Sequence, residues 1–134
     1  YIRRKAMILL LDTSTPMARL SFIDGDWRHD AVWEAGRGLA KGLLQYIQTE
    51  LEYQDKTWGS ITGLVAYRGP GSFTGLRIGI TVLNTLAATN ELPIVGETGD
   101  DWRQQGVARI VAGENDEVVL PEYGGEANIT TPRK

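Results

Sequence analysis

The chain has 134 residues, 42% of them hydrophobic and 23% charged, with a net charge of −3 at pH 7 and no cysteine. That is one domain, long enough to bury roughly two thirds of its unfolded surface. The acidic balance argues against autonomous nucleic-acid binding, which shows a basic face. Without cysteine there is no disulfide frame, thiolate zinc site or cysteine nucleophile, and no apolar run approaches the ~20 residues of a membrane span.

Residues 1–6 precede Met7 and read as an N-terminal extension; the apolar run after Arg3-Arg4-Lys5 is too short for a signal peptide, so a cytoplasmic location is expected. Met7-Ile8-Leu9-Leu10-Leu11 is continuously apolar and stops at Asp12-Thr13-Ser14-Thr15-Pro16, which predicts a central strand followed by a polar turn. Ala18, Leu20 and Phe22 alternate with Arg19, Ser21 and Ile23, the pattern of a half-exposed second strand. Asp24-Gly25 marks a tight hairpin turn into a third strand over 27–34. A helix follows over 38–54, with Leu39, Leu43, Tyr46 or Ile47, and Leu51 on one stripe. Residues 58–61 form a connector, and 63–67 a buried strand.

Next comes Arg68-Gly69-Pro70-Gly71-Ser72-Phe73-Thr74-Gly75-Leu76-Arg77-Ile78-Gly79-Ile80, a glycine-rich turn leading into a second helix. In that helix Phe73, Leu76, Ile80, Leu83 and Ala87 recur at helical spacing. Ser72 or Thr74 suits its N-cap. A strand at 92–96 precedes a short helix, capped by Thr98 and running to about Gln105, with Asp100 and Asp101 in its first turn. Residues 109–112 and 118–120 are the last strand candidates, and the tail 122–134 reads as irregular. The order of three strands, helix, strand, helix, strand, helix, strand predicts an α/β domain over 7–121, with a mixed sheet and helices on its faces.

The glycine-rich turn is either an anion cradle or a tight packing joint. It is not a Walker A loop, since Gly69 and Gly75 are one residue too far apart and Leu76-Arg77 stands where Lys-Ser or Lys-Thr belongs. Nor is it G-x-G-x-x-G, because Thr74 takes the third glycine's place. As an anion site it would use Arg68, Gly69, Gly71, Ser72 and Arg77; as a joint it would leave both arginines at the surface or ion-paired. Ser72 has no histidine placed to serve it as a base. His29, the only histidine, makes neither a metal site nor a complete triad alone, and turn chemistry accounts for Asp24 and Asp26. The sequon Asn128-Ile129-Thr130 has no secretory context. Gly75 and Gly79, like Gly38 and Gly42, lie four apart on one helix face, where another backbone must come close. That neighbour is the chain's own sheet or a partner's helix, and Leu39, Gly42, Leu43, Ile47, Gly75, Leu76, Gly79, Ile80 and Leu83 are the candidate interface residues.

The element order, Leu10-Leu11-Asp12-Thr13-Ser14-Thr15 on the first strand and the Arg68-to-Ile80 string resemble the bacterial TsaB (YeaZ) family. The resemblance covers about 7–95 well and implies an actin-like, ribonuclease H-like lobe. Typical members carry a second lobe, and their first long helix opens with a His-Ser pair where this chain has Gly38-Leu39-Ala40-Lys41. It further implies a non-catalytic subunit of tRNA threonylcarbamoyladenosine biosynthesis, with no cofactor and no metal. The expected partners are the catalytic subunit TsaD, the ATPase TsaE within the complex, and a second copy of the chain, with tRNA met only through the complex. Pairing through the two long helices is the family's habit; a self-pair would bury on the order of 800 Å² per partner. Asp12 is read as a turn residue rather than a magnesium ligand.

Overall fold

The computed structural model describes residues 7–122. The extension 1–6 and, apart from Glu122, the tail 122–134 lie outside the described residues, as does the sequon. The elements are β1 (Met7–Asp12), β2 (Met17–Asp24), β3 (Trp27–Glu34), α1 (Leu39–Tyr53), β4 (Ile61–Gly69), α2 (Phe73–Asn90), β5 (Ile94–Thr98) and α3 (Trp102–Val111), with single 3₁₀ turns at Gly36–Gly38 and Trp58–Ser60. One five-stranded sheet has the order β3-β2-β1-β4-β5. β1, β2 and β3 form an antiparallel meander, while β1, β4 and β5 run parallel.

β1 lies at the middle and is buried on both faces, as its unbroken apolar run requires. Leu9 and Leu11 join the larger core with Leu20, Phe22, Leu43, Ile47, Leu64, Leu76 and Leu83. Ile8 and Leu10 point the other way, into a smaller core with Val65, Val95 and Trp102. Two crossover helices thus cover one face and α3 part of the other. The β2–β3 hairpin closes at Asp24 and Trp27 across two residues, with Gly25 at φ 63°, a conformation that favours glycine.

The C-terminal third departs from the sequence reading. Thr98 ends β5 rather than capping a helix, and α3 starts at Trp102 after Asp101, whose side chain makes no capping bond. The helix runs to Val111, so most of 109–112 is helical rather than extended. Packing decides this: Val107 and Ile110 lie against the smaller core, and Gly106 sits on Val65 with no room for a Cβ. Residues 118–120 belong to no strand among those described. They lie in a strap, 115–122, that bends at Glu117 (φ 70°) and is fastened mainly by side chains. The Ile94 amide donates to Asn115 Oδ1 (3.1 Å) and the Gly96 amide to Asp116 Oδ2 (3.0 Å), while the Asp116 amide donates to the Ile94 carbonyl (2.8 Å). Asn84 of α2 clasps buried Val119 twice, accepting from its amide and donating to its carbonyl, both at 2.9 Å. Arg109 bridges Glu97 (2.8 Å), Glu114 (2.7 Å) and Asp116. Burial opposes ionisation of Asp116, but the Arg109 guanidinium and the Gly96 amide outweigh it and hold the carboxyl below its usual 3.8.

Candidate functional site

The glycine-rich turn folds onto the first turn of the same chain. Asp12 Oδ1 accepts from the Ser14 amide at 2.8 Å, which shapes residues 12–15 into a tight Asx turn. Ser72 caps α2, its hydroxyl accepting from the Gly75 amide at 3.3 Å. The two turns then interlock. The Ser72 amide donates to the Ser14 carbonyl (2.8 Å), and Thr13 Oγ1 donates to the Gly75 carbonyl (2.7 Å). Gly71, Gly75 and Gly79 face Ser14, the Thr13 carbonyl and the Thr13 side chain in turn, and a Cβ on any of them would collide. Thr13 is buried by this contact. Backbone meets backbone here, which is why three residues four apart are all glycine.

The residues expected of an anion site are engaged elsewhere. Arg68 donates from Nε to the Leu120 carbonyl (2.8 Å), and its own carbonyl accepts from the Glu122 amide (2.7 Å). Arg77 lies 5.2 Å over the Phe73 ring. Gly69 is buried at φ 121°, close to the Glu122 carbonyl, and Gly71 is occupied by Ser14. His29 sits on β3, its Nε2 3.0 Å from Glu50 Oε1, between the rings of Phe22 and Tyr53. Among the described residues no cluster of three or more metal-ligating side chains occurs, and no helix is long and apolar enough to cross a membrane.

The candidate interface residues fall inside the chain. Leu39, Leu43 and Ile47 of α1, and Leu76, Gly79, Ile80 and Leu83 of α2, are buried, and the six leucines and isoleucines among them belong to the larger core. Gly42 is half-buried under the Trp33 ring, whose Cη2 would stand 2.9 Å from an added Cβ, and Gly75 lies on Thr13. The helical spacing was right, but a crossover helix turns that stripe onto its own sheet. The accessible side of the helix pair carries different residues. Ala40, Thr74, Arg77, Ile78, Thr81 and Val82 line a shallow groove of about 370 Å³. Leu44, Gln45, Gln48, Trp58, Leu86 and Asn90 line a second of about 540 Å³. Leu44 is 52% exposed. The sequence signal for this face is the second apolar line on α2, Ile78, Val82 and Leu86, which runs beside the core stripe at the same four-residue spacing.

Comparison with known proteins gives this architecture its context. A family model described as "TsaD: tRNA N6-adenosine threonylcarbamoyltransferase" matches residues 33–98. The "tRNA threonylcarbamoyladenosine biosynthesis protein TsaB" of Escherichia coli (strain K12) is 32% identical over 131 residues, covering 90% of this chain and 56% of the relative. The protein of the same name from Haemophilus influenzae is 31% identical over 88 residues, covering 66% of this chain and 37% of the relative. The chain thus spans about half or less of the relatives it matches. Among solved structures, "YeaZ from Pseudomonas aeruginosa" superposes with a TM-score of 0.65 at 26% identity, covering 75% of this chain and 50% of that one. A second, titled as an uncharacterized protein with similarity to peptidase YEAZ from Pseudomonas aeruginosa, gives 0.66 at 26% identity over the same shares. The mixed sheet with its crossover helices is therefore the actin-like, ribonuclease H-like lobe. On the interlocked glycine turn, this sheet and these relatives, the chain belongs to the TsaB (YeaZ) family.

Proposed function

We propose that the chain serves tRNA threonylcarbamoyladenosine biosynthesis as a non-catalytic subunit that docks on a TsaD-like transferase. The observation that carries this reading is the groove-lined face between α1 and α2, where exposed Leu44 and the half-buried Ile78, Val82 and Leu86 meet solvent, in a chain whose relatives are named for that pathway. Its interlocked glycine turn supports a non-catalytic role: Ser72, Thr13 and Arg68 are engaged in packing. Leu44, Ile78, Val82 and Leu86 supply the apolar contact, and Arg77 and Thr81 lie beside it as polar neighbours. A TsaE-like ATPase acts in the same complex, and tRNA is met there rather than by this acidic chain alone. Two copies pair when the enzyme is absent; a self-contact on the α1/α2 face would compete with docking.

The test is co-purification of the full chain with a TsaD-like enzyme. Leu44→Arg and Thr81→Arg, each placing a charge on the outer face, are expected to abolish capture while leaving the thermal melt unchanged. Undiminished capture by both variants would overturn the reading. Calorimetry of the free chain with ATP or ADP is expected to give no heat of binding.

A further inference from the structure

The two faces of the sheet are covered unequally. On the side away from α1 and α2, α3 packs on β4 and β5, and the outer half of that face, on β2 and β3, stays open. Leu20 and Phe22 belong to the larger core, while Ile23 packs on the smaller one. Alternation therefore puts Arg19, Ser21 and Ile23 on the α3 side. The hairpin register sets Val32, Asp30 and Arg28 beside them in that order. The resulting strip is two strands wide, roughly 10 Å, which is the diameter of one helix.

Its charges are unevenly satisfied. Asp30 is fully engaged: the Ser21 hydroxyl donates to Oδ1 at 2.6 Å, and Arg28 Nε lies 2.9 and 3.0 Å from its two oxygens. Asp12, across from Arg19, accepts from the Ser14 amide. The arginines have capacity to spare. Arg19 is exposed and makes no hydrogen bond or ion pair among the described residues. Arg28 bonds through Nε alone, which leaves both terminal nitrogens open. Arg103 extends from α3 with its guanidinium 4.5 Å over the Trp102 ring, and its buried Nε has no hydrogen-bond partner. Burial, then repulsion from Arg28, holds Arg103 below the usual arginine range; Arg19 adds to this, and Asp12 and Asp30 oppose it. Asp100 and Asp101 line the hollow of about 480 Å³ where Arg28 meets the start of α3, but Arg19 and Val32 are not among its lining residues.

Apolar surface alternates with this charge. Ile23 stands across from Arg28 and Val32 across from Arg19, with Val32 54% exposed. The two rows are four residues apart, roughly 13 Å, which a helix spans in about two and a half turns. A guanidinium takes a carboxylate through two parallel bonds, and a helix carries carboxylates and apolar side chains together on one face at four-residue spacing. Nucleic acid would satisfy the arginines but bring nothing for Ile23 and Val32, and the chain carries a net charge of −3.

We propose that the open β2/β3 half of the α3 side docks an acidic amphipathic helix of a partner protein, with Arg19, Arg28 and Arg103 on its carboxylates and Ile23 and Val32 under its apolar side chains. This surface is on the opposite side of the sheet from the α1/α2 face and does not rest on the docking reading above.

The probe is a fluorescein-labelled helical peptide of glutamate and leucine, both repeating along one face, read by fluorescence anisotropy with the full chain. The parent is expected to bind it and to ignore a lysine–leucine and a glutamate–alanine peptide of the same pattern. Arg19→Glu and Arg103→Glu should each weaken binding at least about tenfold; Arg19 is exposed, so its variant keeps the thermal melt of the parent. Val32→Asp should weaken binding as well, and Leu44→Arg should leave it unchanged. Combining Arg19→Glu with Arg103→Glu should transfer binding to the lysine–leucine peptide. No binding of the glutamate–leucine peptide, equal binding of the glutamate–alanine peptide, or an affinity indifferent to Arg19→Glu would each overturn the proposal. Displacement of the peptide by tRNA through the same arginines would overturn it in favour of nucleic acid. Loss of binding in Leu44→Arg would overturn it by moving the peptide to the α1/α2 face, whereas enzyme capture is a separate measurement whose failure leaves this proposal standing.

Discussion

Two long-range joints hold this domain together, and they are built by opposite means. At one, the 12–15 turn meets the start of α2 through Gly71, Gly75 and Gly79, backbone against backbone with Thr13 wedged between. At the other, the 115–122 strap lies along β5 and α2, held by the side chains of Asn84, Asn115, Asp116 and Arg109. The first tolerates no added atom. The second is a set of polar clasps that can be opened one at a time. A joint made by omitting side chains fails by collision, and a joint made by adding them fails by losing bonds.

The contrast is sharpest in substitutions, and the largest effect is expected at the glycines. Gly79→Val drives two methyls into Thr13 and should cost about 3 kcal/mol or more in chemical denaturation. Thr13→Ala in the same chain frees that space and should recover part of the loss, so the two changes are non-additive by at least about 0.5 kcal/mol. An unchanged denaturation midpoint for Gly79→Val would mean that the joint yields. At the strap, Asn84→Ala leaves the buried Val119 amide and carbonyl without partners and should cost about 1–3 kcal/mol. Its signature is local: faster hydrogen exchange at 115–122 with β1 still protected. Equal acceleration throughout the sheet would contradict an independent clasp.

Smaller still is the expected effect of Arg109→Leu, about 1 kcal/mol or less for partly exposed ion pairs. Its pH dependence is the informative part. The folded Asp116 carboxyl titrates below its usual 3.8, so its contribution is present above that value and disappears as pH falls through the folded-state value. The melting difference between parent and variant should be constant from about pH 5 to 8 and shrink below about pH 4. A difference that grew in acid would show that the carboxylates are not what Arg109 holds. Smallest is Ser72→Ala, which removes the α2 cap and should cost about 0.5–1 kcal/mol, read as a lowered melting temperature.

The same contrast explains what could be read from the chain. Glycines at fixed spacing after an apolar strand announce a close approach, and the meander, both long helices and the central strand follow from periodicities of two and 3.6. What the glycines approach is not written locally: Thr13 lies far back in sequence, so an own-chain joint and an interface look alike until the fold is known. The leucines of α1 and α2 were legible as a stripe, but their side followed from the crossover topology, which turned the candidate interface into core. The strap was not legible. Its residues carry no period, and Asn84, Asn115 and Arg109 look like ordinary surface positions until their partners are in place. Val107 and Ile110 fixed 109–111 as helix through packing on the smaller core, against the local apolar pattern that suggested a strand.

The place of β1 also bears on how the chain reaches this state. Its antiparallel neighbour β2 follows after one short turn, so the meander can form from contacts close in sequence. Its parallel neighbour β4 arrives only after α1 has been traversed. Closing that larger loop is the entropically expensive event of assembly, and Leu9 against Leu64 is a pairing at which its kinetics can be read.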